Sequence, residues 1–130
     1  MDTSGWVALL VSNDQNHKKA VSIFGDIKNS KAFIYTSDYI IDETITTILA
    51  RGNHKQSVLA GEALFTSKIV KIIHVSADYF QAAWGLYQKY KDKMFSFTDV
   101  TSFAIMKDLN IVKAFAFDRE FAQAGIELME

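Results

Sequence analysis

Helical and extended patterns alternate along all 130 residues, with no repeat, low-complexity stretch or linker between them. Residues 4–11 and 14–28 read as helices, the second carrying Val21, Phe24 and Ile27 near helical spacing. Residues 32–35 form a short apolar run suited to a buried strand, residues 37–50 return to helix, Arg51-Gly52-Asn53 interrupts it, and residues 54–66 make the next helix. Residues 69–75 are rich in β-branched side chains and end at Ser76, a cap for a helix running to about Tyr90. A helix over 96–109, a strand over 112–117, a short helix over 118–123 and a last strand over 126–129 complete the pattern. Strands joined by helices pack as a sheet covered on both faces, and the crossovers make neighbouring strands parallel. The predicted fold is therefore α/β, a three-layer α/β/α sandwich with a mainly parallel central sheet, in one domain spanning residues 1–130.

Composition narrows the chemistry. There is no cysteine, which excludes disulfides, thiolate metal sites and a Cys nucleophile and fits a reducing compartment. No apolar run approaches the roughly 18 residues needed to span a bilayer, and the amino end lacks the charged and apolar regions of a signal peptide. The expectation is a soluble cytoplasmic protein without a membrane partner. The 14 Lys and Arg nearly balance the 15 Asp and Glu, so any affinity for nucleic acid has to come from local arrangement. Lys89, Lys91 and Lys93 crowd the segment before Asp99 and read either as a small basic patch or as a solvated loop.

Four acids stand in four separated settings: Asp2 in Met-Asp-Thr-Ser-Gly, Glu43 in Ile-Asp-Glu-Thr-Ile, Asp99 in Ser-Phe-Thr-Asp-Val, and Asp118 in Ala-Phe-Asp-Arg-Glu-Phe. Carboxylates gathered from distant points of a chain suit Mg²⁺ or Mn²⁺, which prefer oxygen ligands and bind beside substrate phosphates. The pattern places Asp2 and Asp118 where helices begin and Asp99 in a first turn, at the strand ends where α/β folds keep their ligand crevice. A bland explanation stands beside this one. Asp is a favoured N-cap, which accounts for Asp118 and Asp2, and Ser96-Phe-Thr-Asp99 matches a capping box. Glu43 is expected opposite the face formed by Ile40, Ile41, Ile45, Ile48 and Leu49, as a solvated Glu would be. Asp99 resists the bland reading, because Phe97, Val100, Phe103, Ile105 and Met106 make its helix apolar nearly all round and a buried carboxylate needs partners or a metal.

These segments together resemble the PIN-domain proteins, and more narrowly the VapC-type endoribonuclease toxins of toxin–antitoxin pairs. Asp2-Thr3-Ser4 with Leu9 and Leu10 is similar to the opening motif, and Thr36 through Thr44 to the segment carrying the second acid. Tyr90-Lys91-Asp92-Lys93 with Ser96-Phe97-Thr98-Asp99 and Ser102-Phe103 resembles the third-acid motif, and Phe117 to Phe121 with Gln123-Ala124-Gly125 the closing one. The resemblance implies Asp2, Glu43 and Asp99 as principal catalytic and metal-binding acids, Asp118 as a more variable fourth, and Ser4 and Ser102 as hydroxyls near the metal. Glu120 departs from the pattern, since relatives often carry His there.

The implied activity is metal-assisted RNA hydrolysis with Mg²⁺ or Mn²⁺, on tRNA or rRNA, by a homodimer held in check by an antitoxin protein. Drawn together without metal, the acids repel, so at least one should show a raised pKa. His17, His54 and His74 receive no role. A haloacid-dehalogenase-like phosphatase would need a second Asp where Ser4 stands, and a receiver domain would need paired acids and a late Lys that are not in place. A PIN-like module that binds RNA or protein without cutting, and a solitary PIN nuclease without antitoxin, are the competing readings. Of the aromatics, Trp6, Tyr35, Tyr39 and Trp84 are expected in the core rather than stacking on bases. Finally, PIN-like proteins deliver the first acid from a central strand, whereas one residue precedes Asp2. The natural chain is accordingly expected to begin upstream with an apolar β-rich segment.

Overall fold

The computed structural model describes residues 1–130. Its helices are α1 (Thr3–Leu10), α2 (His17–Asn29), α3 (Asp38–Arg51), α4 (His54–Thr66), α5 (Ala77–Lys89), α6 (Phe97–Asp108) and α7 (Glu120–Gln123). The strands are β1 (Ile34–Ser37), β2 (Val70–Ile73), β3 (Lys113–Ala114) and β4 (Glu127–Leu128). Local chemistry explains most boundaries. Ser37, Asn53, Ser76 and Ser96 cap α3 to α6 by accepting a backbone N–H with their side chains.

All strand pairing is parallel, as expected, but the sheet falls into two pairs. β1 pairs with β2, Ile34 opposite Val70, and β3 pairs with β4, Lys113 opposite Glu127. Between them run Met1 and Asp2: Met1 N donates to Tyr35 O at 2.6 Å, and Asp2 N donates to Phe115 O at 3.0 Å. The strand predicted over 112–117 is short because its later backbone groups are engaged elsewhere. Phe115 O accepts from Asp2, and Phe117 N donates to the hydroxyl of Ser4.

Two apolar cores flank this seam. One joins Trp6 and Ala8 of α1, Ala20, Ile23 and Ile27 of α2, Ile34, Ile40, Ile41, Leu64 and Phe115. The other joins Ala83 of α5, Phe95, Val100, Phe103 and Ala104 of α6, Ala114, Ala116 and Phe121. In the second, rings meet edge to face, Phe103 with Phe95 and with Phe121 at 5.1 Å each. Trp6 is 2% exposed and its indole N–H donates to Thr36 Oγ1 at 3.1 Å, tying α1 to β1. Two aromatics expected in the core lie outside it: Tyr35 is 39% and Trp84 49% exposed, the latter stacked on Tyr87. No helix is long and apolar enough to cross a membrane.

Candidate active site

Each acid is delivered by a different element. Asp2 precedes α1 and is its N-cap. Its residue is 4% exposed, and its Oδ2 accepts from Ser4 Oγ at 3.0 Å, while Oδ1 is buried with no partner. The cap explanation for Asp2 therefore holds for one oxygen and leaves the other unexplained. Ser4 has a second duty, because its Oγ also accepts from Phe117 N at 2.9 Å and so fixes the backbone beside Asp118. Of the two serines expected near the acids, Ser4 is the one bonded to an acid. Ser102 lines a small cavity of about 40 Å³ with Met1, Thr36, Ser37 and Lys113, on the seam between the strand pairs.

Glu43 is not the freely solvated side chain its helical position suggested. It is half-buried, and Oε1 accepts from Thr3 Oγ1 at 2.5 Å. The cause is tertiary: α1 packs against α3 and brings Thr3 within reach of Glu43. Beside Glu43 lies an open depression of about 430 Å³, lined by Tyr39, Asp42, Glu43, Thr46, Thr47 and Thr98.

Asp99 closes the predicted capping box, its Oδ2 accepting from Ser96 N at 3.0 Å while Ser96 Oγ accepts from Asp99 N at 3.0 Å. Its pKa is nonetheless pushed up to about 6, chiefly by burial; the Ser96 hydrogen bonds oppose the rise, and the charges of Asp2 and Glu120 add to it. Asp118 lies before α7, but Arg119 occupies the cap position, so the N-cap explanation expected for Asp118 is wrong. Its pKa is raised as well, by partial burial first and then by Asp2, Glu120 and Glu43, with Arg51 pulling the other way. Arg51 is held at 3.6 Å from Asp14 at the lip of a neighbouring groove.

The charges of Asp2 and Glu120 act on both Asp99 and Asp118, and that of Glu43 acts on Asp118. Glu120 Oε2 is buried without a partner. Nothing local in the sequence signals that burial. No three Asp, Glu or His side chains stand close enough together to hold a metal ion as the side chains lie. The chemistry of the acids still fits a divalent cation, on two observations. The donors are all oxygens, and two of these oxygens are buried and unpaired among like charges, a costly arrangement without a counter-ion. Lys89, Lys91 and Lys93 are exposed at the end of α5 and in the loop before α6. His17 is structural, its Nδ1 2.8 Å from Ala8 O.

The fold is that of α/β proteins whose short parallel strands are joined by helices. Residues 1–127 match the PIN domain, and the chain belongs to the PIN-domain family. It is 34% identical over 125 residues, 96% of this chain and 92% of the relative, to the 23S rRNA-specific endonuclease VapC20 of Mycobacterium tuberculosis strains CDC 1551 / Oshkosh and ATCC 25618 / H37Rv. The crystal structure of Mycobacterium tuberculosis VapC20, a sarcin-ricin loop cleaving toxin, is similar with a TM-score of 0.85 at 35% identity, covering 96% of this chain and 93% of that one.

Proposed function

We propose that residues 1–130 form one nuclease domain, a divalent-metal-dependent endoribonuclease that hydrolyses RNA phosphodiester bonds as the toxin of a toxin–antitoxin pair. The observation that carries this reading is the buried, unpartnered Oδ1 of Asp2, whose carboxylate charge acts on both Asp99 and Asp118 while Glu43 acts on Asp118. Similarity to VapC20 across nearly the whole chain supports ribosomal RNA rather than tRNA as substrate. A protein acting there works in the cytoplasm.

Asp2, Glu43, Asp99 and Asp118 would hold Mg²⁺ or Mn²⁺, which supplies positive charge opposite the scissile phosphate and makes water a better nucleophile. The chain's own contribution is preorganisation. Ser4 turns Asp2 so that Oδ1 stays free, Thr3 fixes one oxygen of Glu43, and the backbone of Ser96 fixes Oδ2 of Asp99. The hydroxyls of Tyr39, Thr46, Thr47 and Thr98 line the depression beside Glu43 and can donate to phosphate and ribose oxygens of a bound strand.

Purified protein incubated with ribosomes, with free 23S rRNA and with tRNA, each with and without Mg²⁺ or Mn²⁺, tests the reading. Cleavage at a defined rRNA position that chelation abolishes is expected. Metal-independent cutting, or binding without cutting, would overturn it. Sedimentation is expected to give a homodimer, and co-expression with the protein encoded beside it a complex that suppresses cleavage; an active monomer with no such partner would favour a solitary PIN nuclease.

A further inference from the structure

One face of α5 is aromatic and points to solvent. Phe80, Trp84 and Tyr87 recur along it at helical spacing and are 43%, 49% and 43% exposed, although large rings are what a fold gains most by burying. The rings are ordered against one another. Trp84 and Tyr87 lie nearly parallel, 16° apart with centroids at 5.9 Å, while Phe97, the first residue of α6, meets Phe80 edge to face at 5.2 Å and Tyr87 at 5.9 Å. Two further observations say what this face suits. Lys89, Lys91 and Lys93, all exposed, follow Tyr87 in the chain, three cations beside the single acid Asp92 in a protein whose net charge is −1. The face is also continuous with the candidate active site, because Phe97 is followed by Thr98, which lines the depression beside Glu43.

We propose that Phe80, Trp84 and Tyr87 form a stacking platform for unpaired bases of the RNA substrate beside the bond that is cut, with Lys89, Lys91 and Lys93 taking its phosphates. The proposal rests on the nuclease reading and adds to it where and how the strand is held. Single-stranded loops of RNA splay their bases out, and those bases stack on aromatic side chains. Cations beside such rings follow the phosphate backbone. A strand whose phosphate lies in the depression passes Thr98 and Phe97 and reaches Trp84 after two ring-to-ring steps of 5.9 Å each. Every base has a π-face, so this platform selects unpaired over duplex RNA without reading its sequence. The lysines favour this occupant over a second copy of the chain. A two-fold contact through the same face would bring two lysine clusters to one interface, where they repel, whereas a polyanion is attracted by them.

The test uses tryptophan fluorescence, because Trp84 is half exposed and the other tryptophan, Trp6, is buried in the first core. The full chain is titrated with a single-stranded RNA oligonucleotide and with the same sequence as a duplex, in chelator so that nothing is cut, and affinity is read from the anisotropy of labelled RNA. The single strand is expected to quench Trp84 emission and the duplex to leave it unchanged. Trp84→Ala is expected to weaken single-strand binding about tenfold, and to raise KM for rRNA cleavage by a similar factor with kcat near the parent's. Trp84→Phe keeps a ring and should recover most of both. Lys91→Gln with Lys93→Gln should lower the slope of binding against salt by about 1. Parent-like affinity and KM in Trp84→Ala overturn the proposal while leaving the nuclease standing. A dimer that Trp84→Ala turns into a monomer overturns it as well, since the face is then a contact between copies. A parent protein that neither binds nor cuts RNA removes the nuclease reading beneath it.

Discussion

Residue by residue, the centre is a set of carboxylates held in place by hydroxyls and backbone donors and strained by each other's charge. Asp99 carries the clearest consequence. Its folded pKa of about 6 stands above the ordinary aspartate value of 3.8, so the folded protein binds that proton more tightly than the unfolded chain does. In metal-free protein the associated stability is fully present below about pH 4 and is lost as pH rises through about 6. Thermal melts in chelator should therefore show the protein gaining stability as pH falls from about 7 toward 5. Asp99→Asn should flatten that slope, leaving the smaller part owed to Asp118, and should raise the metal-free melting temperature at neutral pH. The same variant should abolish metal-dependent cleavage; retention of the parent's rate would remove Asp99 from the centre. Ser4→Ala is expected to cost about 1–3 kcal/mol, because it deprives both Asp2 Oδ2 and Phe117 N of their partner. It should also weaken Mn²⁺ binding, which a cap with no part in the site would not.

Among the elements, α1 does more than its eight residues suggest. It begins at Asp2, presents Thr3 to Glu43, and lies so close to the segment after β3 that a Cβ on Gly5 would stand 2.6 Å from Phe115 O. No side chain fits there without moving the backbone. Gly5→Ala should therefore push α1 off that segment, destabilise the fold by about 1–3 kcal/mol, and carry Asp2 away from Asp99 and Asp118. Urea titration measures the first effect. If Mn²⁺ affinity falls below the parent's at temperatures where the variant is fully folded, the positional effect is established; equal affinity would mean that α1 tolerates the shift.

Across the molecule, two apolar cores meet along a seam with little strand pairing. Phe115 stands on that seam, 3% exposed, packed with the first core and next to Ala114 and Ala116 of the second. Phe115→Ala is expected to cost about 3–5 kcal/mol and to lower the unfolding midpoint of both halves together. Separate transitions for the two halves would mean that the cores are not coupled through this ring.

Much of this was written locally. The helix over 54–66, the Ser76 cap and the Ser96–Asp99 capping box follow from spacings of three or four residues, and the structure places them where those spacings put them. Four acids stand out in the sequence because each sits in a short motif. What the sequence alone could not determine is everything that depends on one element crossing another. Glu43 lost its solvent to Thr3 because α1 packs against α3. Asp118 lost its cap role because α7 starts later than its pattern implied. The strand over 112–117 was shortened because Asp2 and Ser4 bind its backbone. Secondary structure and caps are decided within a turn of the chain, where the sequence is its own environment. Burial, charge repulsion and the partner of each carboxylate oxygen are set by neighbours tens of residues distant, and only the tertiary structure brings those together.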